Sequence, residues 1–303
     1  MRLRPRAGEH EIRLTGQSTP ASITPAKART PGSDAWRPAR LSPLRGGRAL
    51  KRWRYVGVFC EEMMACAARV QIGPARQSFW ALYLRSDGSL RERTRMLRGR
   101  GAVQLSDGRV RVRDAGVRLE IRLSEGAPIH ARCLHEGGEV FTRKQAGVAA
   151  RGTLALDGGQ PRPIDALAVI DDTAGYHAHR TEWYWSAGAG LGEDGAALAW
   201  NLVSGVNDPP RGSERAVWVA GDPHECAPVS FRSDLGEICC EDGASLRFAA
   251  EAERSHRQNL LIVSSDYRAP FGSFSGTLPG VRGGGPVALA HGLGVVEHHR
   301  ARW

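Results

Sequence analysis

Hydrophobic and polar residues alternate along much of this chain after residue 50. In VRLEIRL (117–123), Val117, Leu119, Ile121 and Leu123 fall on one side and Arg118, Glu120 and Arg122 on the other. Side chains of an extended strand point to opposite faces in turn, so this segment reads as a half-buried strand. RVRVR (109–113) alternates as well, with Val110 and Val112 turned inward. Asp87-Gly88, Asp107-Gly108, Asp157-Gly158, Asp194-Gly195 and Asp242-Gly243 punctuate the pattern. Asp-Gly between alternating segments marks a hairpin, because glycine reaches the positive φ that a tight turn requires. Strands recurring about every 10 residues predict an all-β chain of antiparallel barrels or sandwiches. No long segment carries a helical period, although GEVFTRKQAGVAARGTLALDGG (138–159) is compatible with a short helix.

The turn-rich DGGQPRPID (157–165) interrupts the pattern and predicts a boundary between an N-terminal β domain, 46–160, and a C-terminal β domain, 161–303. Residues 1–45 hold Pro5, Pro20, Pro25, Pro31, Pro38 and Pro43 among Ser, Thr, Arg and Gly, with no hydrophobic period. Such a segment buries too little apolar surface to offset its ordering entropy, so a disordered basic leader is expected.

The formal charge of +10 suggests a nucleic-acid binder until it is located. Residues 1–54 hold 13 Lys or Arg against 3 Asp or Glu, and the rest of the chain holds 29 of each. The β body is therefore neutral, whereas a nucleic-acid binder carries a basic stripe on a folded face. Only Lys27, Lys51 and Lys144 are lysines, a bias expected from GC-rich coding. The six cysteines are irregularly spaced and contain no C-x-x-C, so reduced, mostly buried thiols are expected. No stretch reaches the ~20 apolar residues of a membrane helix, and the N-terminus lacks a signal-peptide core. A soluble bacterial cytoplasmic protein is the expectation, with neither nucleic acid nor membrane span.

The candidate chemistry concentrates in DDTAGYHAHRTEWYWSAGAG (171–190). His177, His179, Thr181, Trp183 and Trp185 recur at every second position and would share one face of a strand. Two imidazoles, a hydroxyl and two indoles make a poor generic core and a good pocket wall. The opposite face carries Arg180, Glu182 and Tyr184; turned inward, Arg180 would anchor a carboxylate or phosphate. Exposing Trp183 and Trp185 together would forfeit several kcal/mol of burial, about 2 each, which favours the aromatic face as the inner one. His177 and His179 could chelate a metal only with a third ligand, such as Glu297, His291 or His298, brought alongside by the C-terminal strand. Two histidines hydrogen-bonded in a polar lining is the simpler arrangement, so no metal and no cofactor is expected. Asp171 and Asp172 could share a proton, or cap a turn before Gly175. The glycines of GAGLGEDG (188–195) run through Asp194-Gly195 into another strand, AALAWNLV, and open no helix, which excludes a dinucleotide loop.

Several separated blocks carry a resemblance. AVIDDTAGYHAHRTEWYWSAGAG, AWNLVSGVNDPPRGSERAVWVAG (199–221), SDYRAPFGSFSGTLPG (265–280) and GLGVVEHHRARW (292–303) together resemble the bacterial domain-of-unknown-function family DUF2804, and KRWRYVGVF (51–59) resembles its earlier block. That family is similar to lipocalin-like carotenoid hydratases, AttH-like proteins and tocopherol cyclases. The resemblance implies two lipocalin-like antiparallel β-barrel or sandwich domains around an apolar ligand chamber, and carries no reaction with it. Two functions follow as expectations. One is a binding protein for a lipid or isoprenoid in a barrel interior, with Trp183, Trp185, Arg180, Trp200, Trp218 and Tyr267 as ligand-binding residues and Phe271 and Phe274 adding to the lining. The other is a cofactor-independent hydratase, cyclase or isomerase in which His177, His179, Glu182, Asp171 or Glu297 acts as acid or base. An ionisable cluster inside an apolar cavity favours chemistry; the same residues on a rim favour structure.

Overall fold

A computed structural model describes residues 41–96, 101–260 and 263–302; the expected leader lies outside them up to residue 40. The described part of that leader contains β1 (Leu44–Arg45), which pairs with β2 (Arg48–Ala49) in a two-stranded ribbon. Among the described residues there is no helix, and hence none long and apolar enough to cross a membrane.

The first sheet contains β3 (Lys51–Phe59), β4 (Met63–Ile72), β5 (Ala75–Leu84), β6 (Ser89–Met96), β7 (Val103–Ser106), β8 (Arg109–Asp114), β9 (Val117–Ser124), β10 (Ile129–His135), β11 (Gly138–Leu156) and β12 (Arg162–Gly175). The second contains β13 (Arg180–Gly192), β14 (Ala197–Ser204), β15 (Ala216–Val219), β16 (Asp222–Glu225), β17 (Val229–Phe231), β18 (Glu237–Cys240), β19 (Ser245–Leu260), β20 (Val263–Leu278) and β21 (Val287–Arg302). Their orders are β6-β5-β4-β3-β12-β11-β9-β8-β7 and β16-β15-β14-β13-β21-β20-β19-β18-β17. Renumbered from its own first strand, each sheet has the same topology: consecutive strands pair, the first pairs with the last, and the seam between the fourth and fifth is open. Each is thus an up-and-down barrel opened along one line, the lipocalin-like arrangement, present twice. The extra strand β10 completes the correspondence, since β9 and β10 lie end to end along the 19-residue β11.

The stretch 138–159, compatible with a helix by sequence, forms β11 and the turn after it. It lacks simple alternation because a bulge between Gln145 and Val148 shifts its register. The boundary expected at 157–165 is a hairpin turn inside the first sheet, and the chain crosses to the second sheet at 176–179. The Asp-Gly turns behave as the sequence demands, with Gly88, Gly108, Gly158, Gly195 and Gly243 all at positive φ.

Three cores result. Val56, Val58, Trp80, Leu119 and Ile121 fill the first barrel. Trp200, Leu202, Phe248 and Phe274 fill the second. A third core lies between the sheets, where Tyr55, Phe59, Tyr83 and Val169 of the first meet Trp185, Trp218, Phe271 and Val295 of the second. Strands at this junction are buried on both faces. That is why β3 contains the apolar run YVGVF (55–59) and β12 the run ALAVI (166–170), whereas β8 and β9, away from the junction, alternate cleanly.

The glycines of β13 have a packing reason. A Cβ on Gly188 would lie 2.3 Å from the Trp200 ring and 2.6 Å from the Leu293 carbonyl oxygen. Gly188→Ala is therefore expected to destabilise the protein by about 1–3 kcal/mol through overpacking. Urea denaturation checks it: the double variant with Trp200→Leu should show a smaller loss than the two single losses added, because the second change vacates the contested space.

Candidate functional site

A cavity of about 170 Å³ lies between the two sheets, in the third core. Register assembles its walls. Across β12, Asp171 faces Lys144 on β11 and Tyr55 on β3, with Trp53 opposite Thr173 one step further along. Across β21, Glu297 faces Trp185, and His299 lies between Trp183 on β13 and Tyr267 on β20. The crossing segment adds His177, and the 205–215 connection adds Asn207 and Glu214.

The polar floor is a three-membered ion cluster. Lys144 Nζ lies 2.7 Å from Asp171 and 3.1 Å from Glu214, reaching from the first sheet to a loop of the second. Trp53 Nε1 donates to Asp171 Oδ2 at 3.0 Å, and Thr173 Oγ1 donates to Oδ1 at 2.8 Å. Asn207 Nδ2 donates to Glu214 Oε2 at 3.2 Å, while Asn201 joins the Glu214 backbone to Trp185 Nε1. Burial disfavours the Lys144 ammonium, but the two carboxylates outweigh it and hold its pKa above the ordinary lysine value. Glu214 is pushed up by burial and by the charge of Asp171, against the pull of Lys144.

Glu297 stands across the cavity, buried among aromatic rings. Trp183 Nε1 donates to its Oε1 at 2.8 Å, and Tyr267 hydrogen-bonds to it as well. Burial raises its pKa to about 7; the nearby Asp171 charge adds to the rise, and the two hydrogen bonds oppose it. Burial likewise pushes the Tyr267 hydroxyl well above its usual range. His177, 1% exposed and 5.1 Å from the Trp53 ring, is lowered to about 3 by burial and then by Lys51, so it is neutral. Among the described residues neither of its ring nitrogens has a hydrogen-bond partner. His299, bonded to Ser265 Oγ at 2.7 Å and edge-on to Trp183, is also lowered to about 3 by burial.

Six of the residues singled out by sequence therefore line one cavity: Asp171, His177, Trp183, Trp185, Tyr267 and Glu297. Others do not. The strand begins at Arg180, so alternation does not extend to the two histidines: the expected five-residue face shrinks to Thr181, Trp183 and Trp185, and His179 is exposed while His177 is buried. The aromatic face is the inner one; Arg180 and Glu182 point outward, and Glu182 pairs with Arg300 at 2.7 Å and His298 at 2.9 Å. Trp200 and Phe274 fill the second barrel rather than a ligand chamber. Trp218 and Phe271 lie in the inter-sheet core outside the cavity lining, with Trp218 Nε1 donating to Ala127 O at 3.0 Å. Asp171 and Asp172 cap no turn. They sit within β12 on opposite faces, and Asp172 joins Arg54, Arg143 and Glu125 in a separate network. Burial raises Asp172 to about 6 there.

Sequence reasoning missed Lys144, Glu214, Trp53, Tyr55 and His299. One clue was available: of three lysines in an arginine-rich chain, Lys51 and Lys144 are both 2% exposed. A compact ammonium fits an enclosed site where a guanidinium does not.

No curated protein matches this sequence. Among solved structures, the chain is similar to kievitone hydratase from Nectria haematococca, with 10% identity, 82% of this chain and 88% of that one covered, and a TM-score of 0.50. A protein described as AttH from Nitrosomonas europaea gives 14% identity over 82% and 92% of the two chains at a TM-score of 0.46. CghA gives 10% identity over 87% and 89% at 0.47. At such identities the likeness concerns the fold alone. The family model for a domain of unknown function, DUF2804, matches residues 137–303, which takes in Lys144, Asp171, His177, Glu214 and Glu297 and leaves the KRWRYVGVF block outside. The match spans more than half of the sequence, and the chain belongs to the DUF2804 family.

Proposed function

We propose that the inter-sheet cavity binds an unsaturated apolar small molecule of the lipid or isoprenoid class, and that Glu297 delivers a proton to it. This is cofactor-independent acid/base chemistry of the hydratase, cyclase or isomerase type. The observation that carries it is a carboxylic acid buried among aromatic rings, hydrogen-bonded by Trp183 and Tyr267, with its pKa raised to about 7. A general acid works best when its pKa lies near the operating pH. The ionisable cluster sits in the cavity rather than on a rim, which favours chemistry over binding alone.

The step balances simply. The Glu297 proton bonds to one carbon of a C=C, using the π pair, and the other carbon becomes cationic. The faces of Trp53, Trp183 and Trp185 suit that charge through cation–π attraction, and the carboxylates of Asp171 and Glu214 add to it. Water, a second double bond or loss of a neighbouring proton then quenches the cation, giving hydration, cyclisation or isomerisation. The Glu297 carboxylate left by the first transfer can take up the proton released, which restores the acid. The volume of about 170 Å³ suits a ring-sized portion of a ligand, since a cavity of about 150 Å³ holds benzene. The barrels themselves are filled by side chains, so the ligand belongs between them and not inside either one.

Native mass spectrometry of protein purified from its own host should show a retained apolar molecule. Incubating the protein with that molecule in D₂O should introduce one carbon-bound deuterium per turnover. Ligand binding should also quench tryptophan emission, as three indoles line the cavity. A ligand-free protein whose emission stays constant across an apolar screen would refute binding; a bound molecule recovered without deuterium would leave a binding protein.

A further inference from the structure

Two buried residues of the cavity wall carry polar atoms that nothing among the described residues satisfies. They are His177, through both ring nitrogens, and Asn207, through Oδ1. His177 is 1% exposed and Asn207 7%. Buried polar groups are nearly always paired, and leaving one unpaired costs stability. The other half of the Asn207 amide fixes its orientation: Nδ2 donates to the Glu214 carboxylate at 3.2 Å, so the oxygen is the end left over. His177 is neutral, its pKa lowered to about 3 chiefly by burial, and a neutral imidazole keeps one N–H to donate. Both residues stand at the ion-cluster end of the cavity. His177 lies against Trp53, which donates to Asp171, while Asn207 donates to Glu214, and Lys144 joins the two carboxylates.

Resting on the cavity as a ligand site, we propose that the ligand carries a hydroxyl group, held at the ion-cluster end by His177 and Asn207. The imidazole N–H donates to the hydroxyl oxygen, and the hydroxyl donates to Asn207 Oδ1. Donor counting selects this group. An amide oxygen can only accept, so a ketone, an ether or a hydrocarbon leaves Asn207 Oδ1 unpaired, whereas an alcohol or phenol satisfies it. A cationic donor is disfavoured by Lys51 and Lys144, whose charges already act on His177. A site built to bond a hydroxyl rejects the analogue lacking it, because its own buried polar groups are then left bare. The hydroxyl also orients the ligand: with that end at the ion cluster, the rest of the molecule turns towards Glu297 across the cavity.

Cyclohexanol and cyclohexanone, nearly equal in size and without a C=C to react, test this by isothermal titration calorimetry on the full chain. Cyclohexanol should bind at least about tenfold more tightly, the yield of one buried hydrogen bond. Two variants divide the contact. Asn207→Gly, which suits the backbone φ of 57° at that position, should bring the two probes within about twofold of each other. His177→Phe keeps a flat ring and should weaken both probes by about tenfold, since each loses the imidazole N–H. The same variant should unfold at the urea concentration of the wild type or a higher one, because it removes unpaired nitrogens and no structural bond. Equal binding of the probes to the wild type, or an alcohol preference that survives in Asn207→Gly, overturns the hydroxyl and leaves the apolar cavity standing. So does a His177→Phe protein that unfolds at a lower urea concentration and binds both probes as before, which makes the imidazole structural. Binding of neither probe to the wild type overturns both readings.

Discussion

Lys144→Met should cost the protein about 3–5 kcal/mol of stability, the usual result of removing one partner from a buried ion cluster. The substitution preserves most of the volume and removes only the charge, leaving Asp171 and Glu214 facing one another without their shared cation. The loss should depend on pH with a definite sign. Glu214 is raised above the ordinary glutamate value even with Lys144 present. Without it the native state binds protons still more readily than the unfolded chain. Where the folded state binds more protons, stability falls as pH rises. The deficit should therefore be small near pH 4, where a proton between the carboxylates replaces the ammonium, and largest above pH 7. Urea denaturation of the wild type and variant across that range measures it. Adding Asp171→Asn and Glu214→Gln to Lys144→Met should recover most of the loss, because the uncompensated charge, not the missing contact, is the main cost. A deficit below about 1 kcal/mol and constant with pH would mean that the cluster is solvated in a way its burial contradicts.

The same cluster shows where sequence reading reaches its limit. Alternation in β8 and β9 and the Asp-Gly turns were legible because each expresses a local rule, strand period or turn stereochemistry. The duplicated barrel topology was legible only through resemblance, since pairing of the first strand with the last in each sheet leaves no local trace. Junction strands hide their pattern, because a strand buried on both faces has no polar side to alternate with. β11 is the extreme case: it carries Lys144 next to a bulge and did not read as a strand. Lys144, Glu214 and Glu297 are far apart in sequence and converge only when the two sheets pack face to face. Glu297 was identified among the candidates because it would matter if the last strand lay beside β13, and Trp185 does face it across that pair. The histidine pair failed for a local reason: the strand starts at Arg180, so period-2 counting does not apply to residues 177 and 179. Arg180 changes meaning altogether. It lies on the outer face, away from the cavity wall, opposite Arg302 on the neighbouring strand.

Glu297→Gln separates the two roles of a buried acid, and its two effects run in opposite directions. Gln keeps the shape and still accepts the Trp183 hydrogen bond, but has no proton to deliver. Turnover of the substrate recovered by native mass spectrometry should fall by about 10²–10⁴, the range for loss of a general acid. The wild-type kcat/KM should decline above pH 7, where Glu297 ionises. Stability should move the other way. The pKa of Glu297 is about 7 in the folded protein against an ordinary 4.5, so between those values the native state holds a proton that the unfolded state has lost. The folded protein thus forfeits stability progressively from pH 4.5 to pH 7, by about 3 kcal/mol in all at 1.36 kcal/mol per unit. The glutamine variant escapes this and should be more stable than the wild type above pH 7, the gap closing towards pH 4.5. A catalytic acid held in an apolar cavity at the expense of stability has this signature, inactive yet more stable when neutralised. A variant that is less stable at every pH by a constant amount would make Glu297 a structural hydrogen-bond acceptor for Trp183 instead, and would remove the proton donor from the proposed chemistry.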